Sequence, residues 1–371
     1  MEYSDEAYLK QRRHLNPEVF KEANKIYLTD FYDNDKVILE KGYLLCAIDG
    51  STFEVPNTPK NREHFGYHKN NDYQSTMKAR AQVSTIYDLN NNFYLDVQIG
   101  RYKSKEEILA KENIIKAKEL TNKKLLIIFD RGYPSLVFFN WLKINGLNFL
   151  MRMPKASFYA ETETMESDDE IVTIKYTKAR KSTLRQRNKP EDIEFINDKE
   201  TKLRITKVKL SSGEIEYLIS NLSLSEFNYE EMKELYNRRW GIETSYNTSK
   251  NKLKIEAYTG NLPQFVYQDI YAQIVVYNEV QDMLKESNDR LENNENLKYK
   301  YKTNENKAIG LYKEKFIKIM LTEDTEERIK MYNQYIDEMK KYVSAIRPNR
   351  PNQPRLNNLH SKYRTNMKSS F

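Results

Sequence analysis

The residues best suited to chemistry in this chain are three acids: Asp49 in CAIDGS, Asp130 in IIFDRGY and Glu243 in YNRRWGIETSYNTSK. Asp49 and Asp130 each end an apolar run that reads as a buried strand, where a carboxylate needs a turn, a partner or a metal to account for it. A glycine follows each closely, so a turn is one such account. Glu243 sits in a helical stretch with Tyr236, Arg239 and Lys250, at offsets 0, 3, 7 and 14 from the tyrosine. At roughly 100° per residue the four share a strip about 60° wide on one continuous helix. Met232, Leu235, Ile242, Tyr246 and Leu253 border that strip, which places it at the edge of a buried face. The blander reading is an exposed ion-paired face, because Arg239 and Glu243 are also an ordinary i, i+4 pair. Three carboxylates on three elements form a hard oxygen donor set suited to Mg²⁺ or Mn²⁺. Two such ions about 4 Å apart activate a water or a 3′ hydroxyl and stabilise the leaving oxygen. Arg239 and Lys250 on the same strip would neutralise the phosphates of a bound strand, so the implied reaction is phosphodiester chemistry.

Elements to position these residues can be read along the chain. Residues 1–36 are polar and helical, with a start signal at Asn16-Pro17. YLLCAIDGSTFEVP gives a strand ending at Asp49-Gly50, and ARAQVSTIYDLNNNFYLDVQIG gives two strands joined by an Asn-rich turn. SKEEILAKENIIKAKEL is an amphipathic helix with Ser104 as its expected cap. KKLLIIFDRGYPS is a strand ending at Asp130, and LVFFNWLKINGLNFLMRM gives a helix, a stop at Gly146 and a strand. This order predicts a mixed α/β sheet. Residues 154–225 read as a β-rich insertion, with EIVTIKYTKARKST and KLRITKVKLSSGEIEYLISNL as strands and no comparable helix between them. Helix returns over 226–285 and again over 286–346, interrupted by the Asn/Lys-rich SNDRLENNENLKYKYKTNENK, which reads as a loop. The segment 347–371, with three prolines, reads as an extended or disordered basic tail.

Composition narrows the classes of function. The 371 residues suffice for one large domain with an insertion or for two or three small ones. Cys46, the single cysteine, excludes an internal disulfide framework and a Cys-rich zinc site. No apolar run approaches the roughly 18 residues of a membrane helix, and the N-terminus lacks a signal-peptide core, so the cytoplasm is the expected compartment and no membrane partner is implied. The net charge of +7 is unevenly distributed. Lys178 to Lys189 carries six cations and no acid, and Lys341 to Phe371 carries seven and no acid. Lys178, Arg180, Lys181, Arg185 and Arg187 are therefore candidate phosphate contacts, against the alternative of a merely solvated face. The ten glycines, never closer than eight positions, exclude the phosphate loops of ATP and NAD sites, so no nucleotide cofactor is expected. His64 and His68 in HFGYH lack a metalloprotease glutamate and read as surface-loop residues.

YNRRWGIETSYNTSK matches Tyr-x2-Arg-x3-Glu-x6-Lys, and in this it resembles the bacterial DDE transposases of the insertion-sequence 4 family. Asp130-Arg-Gly132-Tyr133 is similar to that family's second-aspartate pattern, and Asp49-Gly50-Ser51 stands where its first aspartate would be. The likeness extends from about Tyr8 to Asn278. It implies an RNase H-like catalytic fold over 37–153 and 226–285, interrupted by the β insertion. It also implies two metal ions on Asp49, Asp130 and Glu243, and phosphates held by Tyr236, Arg239 and Lys250. Trp240 is a candidate for stacking on a base, with a core tryptophan as its alternative. The expected activity is metal-dependent cleavage of element ends and strand transfer, on double-stranded DNA bound by a homodimer at the nucleoid. Only 48 residues precede Asp49, which reads as the remnant of a longer DNA-binding region. The competing expectations are a relic that only binds DNA and a stand-alone RNase H-like nuclease.

Overall fold

The computed structural model describes residues 4–33, 36–69, 77–210, 212–291 and 298–347. Two helices, α1 (Asp5–Arg12) and α2 (Glu18–Tyr32), lead into strand β1 (Tyr43–Glu54). Next come α3 (Pro59–Phe65), β2 (Tyr67–Lys69), the hairpin β3 (Met77–Asp88) and β4 (Phe93–Arg101), and α4 (Glu106–Leu120). Then follow β5 (Lys124–Phe129), α5 (Leu136–Ile144) and β6 (Asn148–Met153), with Gly146 at φ +67 in the tight turn between the last two. Beyond them lie α6 (Tyr159–Glu163), β7 (Asp169–Lys175), α7 (Lys178–Arg187), a 3₁₀ segment (Pro190–Asn197), β8 (Glu200–Lys209) and β9 (Ile215–Ser220). The chain continues through α8 (Tyr229–Arg238), α9 (Trp240–Asn251), α10 (Pro263–Asp289), β10 (Tyr301–Thr303), α11 (Glu305–Met320), α12 (Thr325–Met339) and β11 (Val343–Ala345).

These elements form two compact units. One comprises Glu22–Phe53 and Arg62–Tyr246; the other comprises the described residues of 1–21, 54–61 and 247–371. In the first, the strands join one sheet in the order β2-β3-β1-β5-β6-β9-β8-β7, with β4 also paired to β3. β1, β5 and β6 run parallel, and β3 and β4 form an antiparallel hairpin. This is the sheet of an RNase H-like α/β fold, as the sequence implied. The strands from the 154–225 segment do not stand apart: β9 pairs with β6, and β8 and β7 extend the same sheet.

Alternation along the strands sorts the core into two layers. Leu44, Cys46, Ile48, Leu125, Ile127 and Phe129 pack with Ala110, Ile114 and Ala117 of α4 and Phe138 and Leu142 of α5. Tyr43, Leu45, Leu126, Ile128 and Leu150 pack with Met232, Leu235 and Tyr236 of α8. Extended by one residue, the second set includes Asp49 and Asp130, which the alternation therefore aims at the α8 side.

The other unit is mostly helical. Arg12 of α1 pairs with Asp269 of α10 at 2.9 Å, and Asp269 also accepts from the Thr259 amide at 2.7 Å. Tyr332 of α12 donates to Glu286 of α10 at 2.7 Å, and β10 and β11 form a short antiparallel ladder.

Several sequence expectations need correction. The KARKST stretch is not strand but the start of α7, capped by the Thr177 hydroxyl on the Arg180 amide. Its alternating apolar pattern stops at Tyr176, and five cations among the ten residues Lys178–Arg187 suit a solvated helix. α4 begins after Lys105, and Ser104 does not cap it. The stretch read as an Asn/Lys-rich loop holds the end of α10, strand β10 and the start of α11 around residues 292–297, which lie outside the described residues. The tail from 348 also lies outside them. His64 lies in the last turn of α3 and His68 in β2, its ring 3.2 Å from the Tyr102 hydroxyl, rather than both being in a loop. Among the described residues no helix is long and apolar enough to cross a membrane.

Candidate active site

Asp49 is not at a strand end as expected: β1 runs on through Asp49 and Gly50 to Glu54. A turn therefore does not explain this acid. β1 and β5 pair in register from Tyr43 with Lys124 to Ile48 with Phe129, so the step after the last pair brings Asp49 next to Asp130, and the two carboxyls feel each other. Asp130 does lie directly after its strand, where open α/β sheets place ligands.

The signature stretch is two helices rather than one. α8 starts with a capping box between Asn228 and Glu231 and ends at Arg238; α9 begins at Trp240. At the junction the Arg239 amide bonds the Tyr236 carbonyl (3.1 Å) and the Ile242 amide bonds the Arg239 carbonyl (3.1 Å), one residue tighter than an α-helix. The change is local, and the strip largely survives it. The Tyr236 hydroxyl donates to Asp130 Oδ1 at 3.4 Å, and Arg239 Nη2 donates to Glu243 Oε1 at 2.7 Å. Tyr246, one turn beyond Glu243, donates its hydroxyl to the Asp49 carbonyl at 3.0 Å. The helix that carries Glu243 is thus pinned to the strand that carries Asp49.

Arg239 is the electrostatic centre of this arrangement. It is only 6% exposed. Burial works against its charge, but Tyr236, Glu243 and Asp130 outweigh that and hold its pKa above the ordinary value. Burial raises the Tyr236 hydroxyl, and Asp130 adds to the effect. Burial also pushes the Asp49 carboxyl up to about 6, with Glu106 and Asp130 adding to the rise, while the Gly50 amide and Arg239 pull it back.

That rise has a measurable consequence. With its folded pKa near 6 and its unfolded value near 3.9, Asp49 binds more proton in the folded chain than in the unfolded one across the interval between. Its contribution to stability is therefore fully present below about pH 4 and lost as pH rises through about 6, by about 3 kcal/mol at most. Metal-free melting curves from pH 4 to 7 should show the wild type losing Tm relative to Asp49→Asn over this window. Parallel profiles would mean that the carboxyl is not held up.

Three further charged residues at the site went unread in the sequence. Glu106, the first residue of α4, accepts from Gln82 Nε2 at 3.1 Å; burial and then Asp130 raise its pKa. Arg152 on β6 and Glu216 on β9 pair at 3.0 Å, and Glu216 feels both Arg239 and Asp130. Trp240 is 61% exposed, which excludes a core tryptophan, and Arg239 lies 5.6 Å from its ring centre. Lys250 belongs to the other unit, where it is half-buried; burial lowers its pKa and Glu256 opposes this. On α7 no residue is buried. Lys178, Arg185 and Arg187 are exposed and Lys181 half-exposed, while Arg180 is tied to Glu161 at 2.9 Å.

The profile of a family described as the transposase DDE domain matches residues 40–278, which include every one of these positions. The chain belongs to that family. Over 242 residues it is 25% identical to transposase InsG for insertion sequence element IS4 of Escherichia coli (strain K12), in agreement with the insertion-sequence 4 type read from the sequence. That match covers 64% of this chain and 51% of the other, so the chain spans about half the length of its curated relative. Among solved structures it is similar to a piggyBac transposase synaptic complex with hairpin DNA, at 12% identity and a TM-score of 0.45, over 83% of this chain and 59% of that one.

The family's chemistry calls for divalent metal, and the donor set suits it: Asp49, Asp130 and Glu106 are hard oxygen donors whose mutual repulsion a cation would relieve. Among the described residues, however, no three Asp, Glu, His or Cys side chains stand together as a finished cage. The acid expected to complete the set, Glu243, is bonded to Arg239 instead.

Proposed function

We propose that the chain is a DNA transposase that cuts insertion-element ends and joins them to target DNA, with Mg²⁺ or Mn²⁺ held by Asp49, Asp130 and Glu243. The observation that carries this reading is the tethering of the α8–α9 junction to both aspartates, through Tyr236 to Asp130 and through Tyr246 to Asp49, in a member of the DDE family. When bound, two divalent cations supply the charge that activates a water or a 3′ hydroxyl and offsets the developing charge on the leaving oxygen.

The side chains do the rest. Asp49 and Asp130 provide adjacent carboxylates from neighbouring strands. Arg239 holds Glu243 by a charge-assisted hydrogen bond until cation and phosphate compete for the two partners, after which its guanidinium is free to take a phosphate oxygen. Tyr236 orients Asp130, and Lys250 adds a second phosphate contact. Trp240 offers an exposed ring on which a base near the cut stacks. The partners are double-stranded element ends and target DNA, with a second copy of the chain completing a synaptic complex.

The test is a Mg²⁺ cleavage and joining assay on duplexes carrying the inverted-repeat ends. Cut and joined products support the reading. Cutting of any duplex without joining would favour a stand-alone nuclease, and binding without cutting would favour a DNA-binding relic.

α7 gives a separate prediction. Changing Lys178, Lys181, Arg185 and Arg187 together to glutamine should weaken binding to specific and random duplexes by similar factors, since phosphate contacts position DNA without reading it. The slope of log K against log salt should flatten by about 0.9 for each phosphate that is no longer neutralised. A loss confined to inverted-repeat DNA would give α7 a recognition role instead.

A further inference from the structure

Gly50 is not a turn residue, for it lies inside β1, whereas Gly132 belongs to the turn after β5 that the Tyr133 amide closes on the Asp130 carbonyl at 3.3 Å. Gly50 leaves room for a side chain. A Cβ at Gly50 would lie 2.8 Å from Glu106 Oε1 and 2.9 Å from Gln82 Nε2, and a Cβ at Gly132 would lie 3.6 Å from Glu106 Oε2. The Glu106 carboxylate thus occupies the space between the residue after Asp49 and the second residue after Asp130, with Gln82 donating to Oε1 at 3.1 Å. A second feature points into the same place. Tyr133 is 3% exposed and its hydroxyl has no hydrogen-bond partner, although it lies in the field of Glu106, Asp49 and Asp130. Ser84 is near it, but no hydrogen bond of normal geometry joins the two hydroxyls. A buried donor left over beside three carboxylates marks a polar space built for a ligand the acids share.

We propose that Glu106 is a fourth acid of the site, a positioning residue that faces the hydration shell of a divalent cation bound by Asp49 and Asp130. It rests on the functional reading above, since it needs a cation at those two aspartates. A role at the shell suits Mg²⁺, which dehydrates reluctantly and keeps several waters. Glu106 would let the cation bind while Glu243 is still engaged by Arg239, which makes metal binding separable from assembly of the full catalytic set.

The experiment is calorimetric titration of the metal-free protein with Mn²⁺, without DNA. Glu106→Gln should weaken Mn²⁺ binding roughly 10- to 100-fold, as losses of outer carboxylates do, with the metal-free melting temperature not lowered, since it removes a charge that burial and Asp130 disfavour. Glu106→Asp should recover part of the affinity. Gly50→Ala keeps the carboxylate but displaces it, and because the atoms it meets are the ends of flexible side chains the variant should fold and show a similar loss. Asp49→Asn separates the two readings. If it abolishes Mn²⁺ binding while Glu106→Gln and Gly50→Ala bind as the wild type does, Glu106 has no such role and the metal site stands. If the wild type itself binds no Mn²⁺, both readings fall.

Discussion

Glutamine in place of Glu243 is expected to abolish DNA cleavage, by at least about 10³-fold, while leaving the protein folded and able to bind DNA. The two magnitudes decide this. A lost metal-binding charge removes several kcal/mol of transition-state stabilisation, and about 4 kcal/mol already corresponds to 10³ in rate. The structural cost is far smaller, because the Glu243 side chain is 36% exposed and its bond to Arg239 is an i, i+4 pair at the edge of the site. The glutamine carbonyl can still accept from Arg239, and Tyr236 and Asp130 remain to support its charge. Loss of the negative charge should leave Arg239 more available to phosphate, so binding is expected to hold or tighten. The comparison is a gel-shift titration beside single-turnover cleavage in Mg²⁺. Cleavage within tenfold of the wild type would remove Glu243 from the catalytic set.

The parts of this site that were legible in the sequence were those with a local signature. Asp49 and Asp130 stood out because acids at buried strands are rare, and Tyr236, Arg239 and Glu243 because their spacing repeats with the helical turn. Glu106 was invisible for the opposite reason. It opens a helix, where acids are ordinary complements of the helix dipole, and only the fold shows its carboxylate lying against Gly50 and Gly132. A turn is one account of both glycines in the sequence; it holds for Gly132, in the turn after β5, while Gly50 lies inside β1, where a Cβ would meet the Glu106 carboxylate. The break at Arg239 was also beyond the pattern, since a shift of one residue in the hydrogen bonding changes no periodicity over so short a stretch. In the 154–225 segment β7, β8 and β9 were readable by alternation, but their joining the central sheet through β6 was not, because strand pairing at long range leaves no trace in local composition. The α7 helix was missed because its cations follow a strand without a breaker, and only the loss of apolar alternation marks the change.

Removing the carboxylate of Asp169 is expected to destabilise the fold by about 3–5 kcal/mol, through the charge it leaves behind. The Arg204 side chain has no solvent exposure and donates to both Asp169 oxygens, at 2.8 and 2.5 Å. It also donates to the carbonyls of Ser223 (2.9 Å) and Phe227 (2.7 Å), while the Thr206 hydroxyl donates to Asp169 at 2.8 Å. Asp169→Ala strands this guanidinium without a counter-charge, so it should cost more than the double variant Asp169→Ala/Arg204→Met, which removes the charge as well. The double variant should not recover fully, because the two carbonyls lose their donor. Denaturant unfolding of both variants and of Arg204→Met closes the cycle, and additive costs would mean that the pair is not coupled. The position of the network extends the consequence to function. Phe227 immediately precedes Asn228, the cap of α8, and α8 carries Tyr236 to Asp130. Arg204 therefore ties the outer strands of the sheet to the start of the helix whose Tyr236 bonds Asp130. Under conditions where Asp169→Ala is still folded, its cleavage rate should fall with its Mg²⁺ requirement raised, since loosening α8 frees Asp130. A wild-type rate per folded molecule would confine the network to stability and leave the capping box of α8 to hold the site by itself.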